Sequence, residues 1–157
     1  MRLQYKLKFL DYVLFNTTHQ FLLVRNQVAF LALGLLVYVG ESSERSTLGA
    51  FIAAFIAYLA AWATQIVYNF LVLSSGKNLN LFTDHVVEIQ HDWFYEENQY
   101  GQSFHKWVGL EKVVSRPGFV AVYTNAHAAH IIPNRAFSSK GQRSGFLSQV
   151  RARLSAV

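Results

Sequence analysis

Leu48 to Leu73, LGAFIAAFIAYLAAWATQIVYNFLVL, is the stretch on which the fold turns. Its 26 residues contain no formal charge. At about 1.5 Å per residue a helix of that length reaches roughly 39 Å, more than the ~30 Å hydrocarbon core of a bilayer. The alternative is a core helix of a soluble protein. A helix apolar on all faces and that long would need a far larger body around it than 157 residues supply. The reading adopted is a transmembrane helix over 48–73.

Upstream lies a shorter apolar run, Val28 to Val39. Alone it spans roughly 18 Å and is too short. Extended back to Phe21 it reaches about 28 Å but takes in Arg25, Asn26 and Gln27. A charge near a helix end is tolerated because the side chain can snorkel to the headgroups. A cleaved signal peptide is the competing reading, but no small-residue cleavage site follows the run. A first span over 21–39 is therefore expected, so that 21–73 forms a transmembrane helical hairpin. The connection between the spans, Gly40 to Thr47 (GESSERST), is short and polar. Both ends of the chain then fall on one side of the membrane.

Charge says which side. Residues 1–27 carry a net +3, the short loop −1, and residues 74–157 a net +3, which together give the whole chain's +5. The positive-inside rule puts both termini in the cytoplasm. The pI near 9.6 is then a product of topology and does not call for nucleic acid. Composition agrees: 52% hydrophobic and only 15% charged, against roughly 25% charged in soluble domains. Zero Cys excludes disulfides, thiolate metal sites and cysteine nucleophiles.

Within the second span, Gly49, Ala53, Ala57 and Ala61 recur at spacing four. Small residues at that spacing let helix backbones approach closely. They suit a dimer face or packing against the first span.

The flanking segments read as a cytoplasmic α+β domain. Leu3, Tyr5, Leu7 and Phe9 alternate with polar residues, the period of a half-buried strand. A lone strand cannot bury its face, so the N-terminal strand (1–10) is expected to join the C-terminal sheet; a frayed basic arm is the alternative. An interfacial helix is expected over 11–20. Beyond residue 74, short β-rich segments at His85–Gln90, Trp93–Tyr95, Ser103–Lys106, Val113–Ser115, Phe119–Thr124 and Ala129–Ile132 predict a small antiparallel meander. Glu97 to Gly101 and Arg116-Pro117-Gly118 read as turns. Phe146, Leu147, Val150 and Leu154 share one helical face, so a C-terminal helix closes the sheet, capped by Ser138 or Ser139.

Two short segments carry a resemblance. Trp107-Val108-Gly109-Leu110-Glu111-Lys112-Val113 is similar to the Trp-x-x-Ile-x-x-(Ile/Val) segment of the YcxB-like family of small bacterial membrane proteins, with Leu110 in place of Ile. Ala129 to Phe137, AHIIPNRAF, is similar to that family's Ile-Pro-x-x-x-Phe segment. Asp11 to Asn16 ahead of two apolar spans completes the likeness. The resemblance implies a pleckstrin-homology-like domain over 74–157 and the bacterial inner membrane as location. It implies no reaction.

Physical reading of these residues is mainly structural. Trp107 and Leu110 suit the core, Pro133 a strand stop, and Phe137 the docking of the last helix. Arg135, Lys140 and Arg143, with Lys112 and Arg116, form a basic set that could meet anionic headgroups at about 1 kcal/mol each. Catalytic options are thin. No phosphate loop, nucleophile elbow or dinucleotide fingerprint occurs. The acids Asp84, Glu88, Asp92, Glu96 and Glu97 read as strand and hairpin surface. His127 with His130, and His85 or His91, could be assembled into a metal set, but strand parity argues against it. No catalytic residue, cofactor, metal, nucleic acid or small-molecule substrate is expected. The expected function is that of a non-enzymatic interaction protein binding a protein partner, an immunity or inhibitor protein being one case. A structural or assembly subunit forming a homo-oligomer or joining a membrane complex is the alternative, and anionic membrane lipid the third.

Overall fold

The computed structural model describes residues 1–75, 81–126 and 128–156. His127, a candidate in the metal set weighed above, lies outside the described residues. The order of elements is β1 (Arg2–Lys6), α1 (Phe9–Leu22), α2 (Val24–Glu41), α3 (Thr47–Ser74), β2 (Asp84–Ile89), β3 (Trp93–Asn98), β4 (Gly101–Lys106), β5 (Lys112–Arg116), β6 (Phe119–Tyr123), β7 (Ala129–Pro133) and α4 (Lys140–Ser155). The chain divides into two compact units. One takes residues 1–15 with 76–157, the other residues 16–75.

The first unit is an α+β body of antiparallel sheets. β1, β2, β3 and β4 form one sheet in that order, and β5, β6 and β7 a second. The expected single meander is thus split in two. A one-turn 3-10 helix at Trp107–Gly109 ends β4 and turns the chain before β5 begins. β1 pairs antiparallel with β2 in the register Leu3↔Val87 and Tyr5↔His85. The ladder continues at both ends through Met1 with Ile89 and through Leu7 N–H to Thr83 O. Apolar alternation explains the pairing, since Leu3, Tyr5 and Leu7 are buried while Arg2, Gln4 and Lys6 are exposed.

β3 runs further than its apolar letters suggest. It extends to Asn98, and the turn shrinks to Gln99–Tyr100, with the Tyr100 N–H donating to Asn98 Oδ1. The β5–β6 turn is Pro117-Gly118, where Arg116 opposes Phe119. Gly118 sits at φ +93, in the left-handed region, and a Cβ there would run into Leu14 of α1. β6 is buried along its whole length and forms the spine of the core. Phe94, Val87, Val120, Val122, Ile132, Phe146 and Val150 fill that core. α4 starts at Ser139, whose Oγ accepts from Gln142 N–H, and Gln142 reaches back to Ser138. Phe146 meets Phe137 edge-on, and this contact docks the helix.

The second unit is helical. α3 is 28 residues long, and among the described residues it is the one helix that alone is long and apolar enough to cross a membrane. Its apolar side chains point outward, as Phe51 at 62% and Leu71 at 63% exposure illustrate. α1 and α2 pass the same test only as a pair, bent by 67° at the break after Leu22. α2 begins at Val24, three residues after the expected start of a first span, and at its start Asn26 folds back onto Gln20 and Gln27 onto Phe21 O. α2 and α3 pack along one another: Gly34 faces the Ala54 carbonyl, Tyr58 donates to Gln27, and Trp62 is wedged between Phe21 and Phe30. Gly49, Ala53, Ala57 and Ala61 are half-buried beside this seam, while Ala50 lies fully within it.

Candidate functional site

Sheet register sorts the residues of the four-stranded sheet onto two faces. Directly opposed pairs are Tyr5 with His85, Phe94 with His105, and Glu96 with Ser103. Side chains alternate along a strand. The inner face therefore carries an apolar half (Leu3, Val87, Phe94) and a polar half (Tyr5, His85, Glu96, His105). Glu96 was expected on the surface; counting by twos from the fully buried Phe94 turns it inward.

There its carboxylate is shared by two imidazoles. His85 Nδ1 lies 3.0 Å from Oε1, and His130 Nδ1, arriving from β7 of the other sheet, lies 2.9 Å from Oε2. His130 Nε2 then meets His105 Nε2 at 3.0 Å. His85 Nε2 lies 3.2 Å from the Leu81 carbonyl. Tyr5 stacks flat on His85, 5.7 Å between centroids.

Hydrogen-bond chemistry fixes the protons. A carboxylate and a carbonyl only accept. Both nitrogens of His85 face acceptors, an arrangement that favours its protonated form. Burial opposes that charge, yet the hydrogen bonds to Glu96 and to Leu81 O, with the charges of Glu96 and Asp84, raise its pKa above the ordinary value. Burial likewise works to raise Glu96, but the bonds from His130 and His85 outweigh it and hold the carboxyl at about 2. Burial, and then the neighbouring Glu96 charge, push the Tyr5 hydroxyl up. Burial, followed by the approach of His130, lowers His105, against an opposing pull from Glu96. The row is a chain of charge and dipole running from sheet to sheet.

A resident zinc takes three or four protein ligands. The facing nitrogens of His105 and His130 make two, and among the described residues no group of three or more His, Cys, Asp or Glu is placed to hold a metal.

The outer face of the same sheet is aromatic. Tyr95 and Phe104 are directly opposed on β3 and β4, with rings 5.0 Å apart. Lys106 lies over the Trp93 ring at 5.7 Å. Phe104 is 57% exposed, and Tyr100 and Val108 beside it are more exposed still. β4 ends the strand order, so its outer edge is open within the sheet.

The residues singled out in the sequence are distributed as follows. Trp107 is buried against Phe94 and donates from Nε1 to the His91 carbonyl at 3.1 Å. Leu110, Pro133 and Phe137 are also core. The Arg135 guanidinium forks onto the Asp11 carboxylate and donates to Lys6 O at 2.7 Å, tying the 3-10 turn after β7 to the start of α1. Lys112 pairs with Glu111 and lies over Tyr123. Arg116 and Lys140 are exposed, and Arg143 is half-buried. The His–Glu row escaped sequence reading because its members come from four strands. The readable signal was parity: His85, Glu96 and His105 each sit an even number of residues from a buried apolar neighbour.

No curated protein and no solved structure matches the chain. A family model does: residues 89–150, less than half of the chain, match the model described as YcxB-like protein, the family that the Trp107 and Pro133 segments resemble.

Proposed function

We propose that the chain is a two-pass membrane protein whose cytoplasmic domain binds a protein partner through the aromatic face and open edge of β3 and β4. The anchoring half rests on one observation. β1 pairs with β2, and the whole helical unit lies between them in sequence. A chain that crosses a bilayer between two paired strands crosses an even number of times. If α3 is one crossing, α2 supplies the other. Its 18 residues reach about 27 Å, with Arg25 able to snorkel at the end. The loop carrying Glu41 and Glu44 then faces outward and the basic flanks inward. Four strands, then three, then a closing helix supports the pleckstrin-homology-like reading of the domain.

The binding half rests on the exposed Phe104 with the half-buried Trp93 and Tyr95 on the same face. Large aromatics on one solvent-facing sheet surface mark an interaction site. An open strand edge offers backbone hydrogen bonds to an added strand.

The chain has no Cys, so single cysteines report topology cleanly. Ser43→Cys, in the short loop, is expected to react with a membrane-impermeant maleimide on intact cells, and Ser155→Cys only after lysis. Labelling of Ser155→Cys from outside overturns the topology. A photo-crosslinking residue at Phe104 is expected to give a discrete protein adduct that the same residue at exposed Ser148 does not. An adduct of twice the chain mass would identify a second copy as the occupant. Absence of any adduct at 104 overturns the docking face.

A further inference from the structure

We propose that the His105–His130 contact is a proton-controlled latch between the two sheets, closed near neutral pH and opened by acid. Two imidazole nitrogens 3.0 Å apart attract only with a single proton between them. With none, two lone pairs face each other; with two, N–H faces N–H between two cations. The contact therefore holds while one of the two facing nitrogens bears a proton and the other a lone pair. A first proton added to the neutral pair still leaves one facing nitrogen bare. A second one puts protons on both facing nitrogens and breaks the contact.

Groups facing this pair set the direction of the response. From β3, Glu96 remains ionised through the mildly acid range and keeps hold of His130. From β2, His85 faces Glu96 and has Asp84 next to it, and both favour its protonated form. From β1, Tyr5 is neutral. Repulsion therefore falls on His105, the member without a carboxylate partner, and the strand that carries it is β4. His105 and His130 also stack, 4.8 Å between centroids, so its departure uncovers His130 as well. β4 ends its sheet and is held by β3 alone. Opening needs no loss of the β6 core. The latch does not depend on what binds the outer face, although acid would move the strand that carries Phe104.

Hydrogen exchange on the full chain in detergent micelles tests this at pH 7.5 and pH 5.0, with exchange times scaled for the intrinsic chemical rate. Residues 101–106 of the wild type are expected to lose protection about tenfold for each pH unit below the second protonation, while residues 119–123 keep theirs. His105→Gln keeps a donor but cannot titrate, and its exchange over 101–106 is expected to be independent of pH. Equal protection of wild-type 101–106 at both pH values overturns the latch. So does the same acid response in His105→Gln, or loss of protection in 119–123 in step with 101–106. Should His105→Gln fail to fold, imidazole nitrogen spectra of the wild type decide. A shared Nε2 proton present at pH 7.5 and lost at pH 5.0 supports the latch, and unchanged spectra overturn it.

Discussion

Replacing Glu96 with Gln keeps the side chain's shape and removes the charge around which two imidazoles are arranged. The carboxyl is lowered from 4.5 to about 2 in the folded chain. At about 1.4 kcal/mol per tenfold change in proton affinity, that difference is worth about 3 kcal/mol of stability at neutral pH. Its side chain is only 14% exposed, so solvent screening takes away little of it. Gln also turns an amide N–H₂ toward one imidazole N–H, leaving two donors face to face. The sign follows from the direction of the shift. A lowered carboxyl stabilises fully above its unfolded value, and this contribution is lost as pH falls through 4.5 toward 2. Urea titrations of the full chain in micelles, followed by intrinsic fluorescence at several pH values, supply the assay. Glu96→Gln is expected to lose about 3 kcal/mol at pH 7, with the gap to wild type closing as pH approaches 3. A gap under about 0.5 kcal/mol at pH 7, or one that stays constant down to pH 3, refutes the account of the site.

Two further perturbations probe the joints of the domain. Gly118→Ala forces a side chain into a left-handed position and against Leu14. It should cost about 1–3 kcal/mol, read as a fall of about 4–8 °C in thermal midpoint per kcal/mol. Arg135→Ala removes the fork onto Asp11 and the bond to Lys6 O. Because Arg135 is 40% exposed, the expected loss is only about 0.5–1 kcal/mol. The sharper readout is local: residues 2–6 should exchange faster, and Arg135→Lys, which restores charge without the planar fork, should recover only part of the protection.

What the sequence made legible is what repeats at short range. Alternation from Leu3 to Leu7 predicts a buried strand face, and that face lies against β2. Pro117-Gly118 predicts a turn, and Gly118 adopts the positive φ that such a turn needs. The uncharged run from Leu48 predicts a long helix and yields α3 within one residue at each end. Long-range pairings were not legible. Arg135 meets Asp11 across 124 residues, and nothing local to either announces it. Glu96 looked like surface because Glu97 and Asn98 follow it; a carboxylate is buried only when partners are brought to it, and one of those partners arrives from β7. Nor does a three-residue 3-10 turn have a period by which to reveal that the strands part into two sheets.

The insertion of the helical unit between β1 and β2 bears on how the protein is made. β1 leaves the ribosome some 80 residues before the strand that covers it. At about 5–20 residues per second it waits roughly 4–16 s with an uncovered apolar row. On the proposed two-pass topology, both long helices enter the membrane during that wait, and completion of the N-terminal seam follows their insertion. A chain stalled halfway through insertion would display a loose, protease-accessible leading segment, a natural mark for quality control.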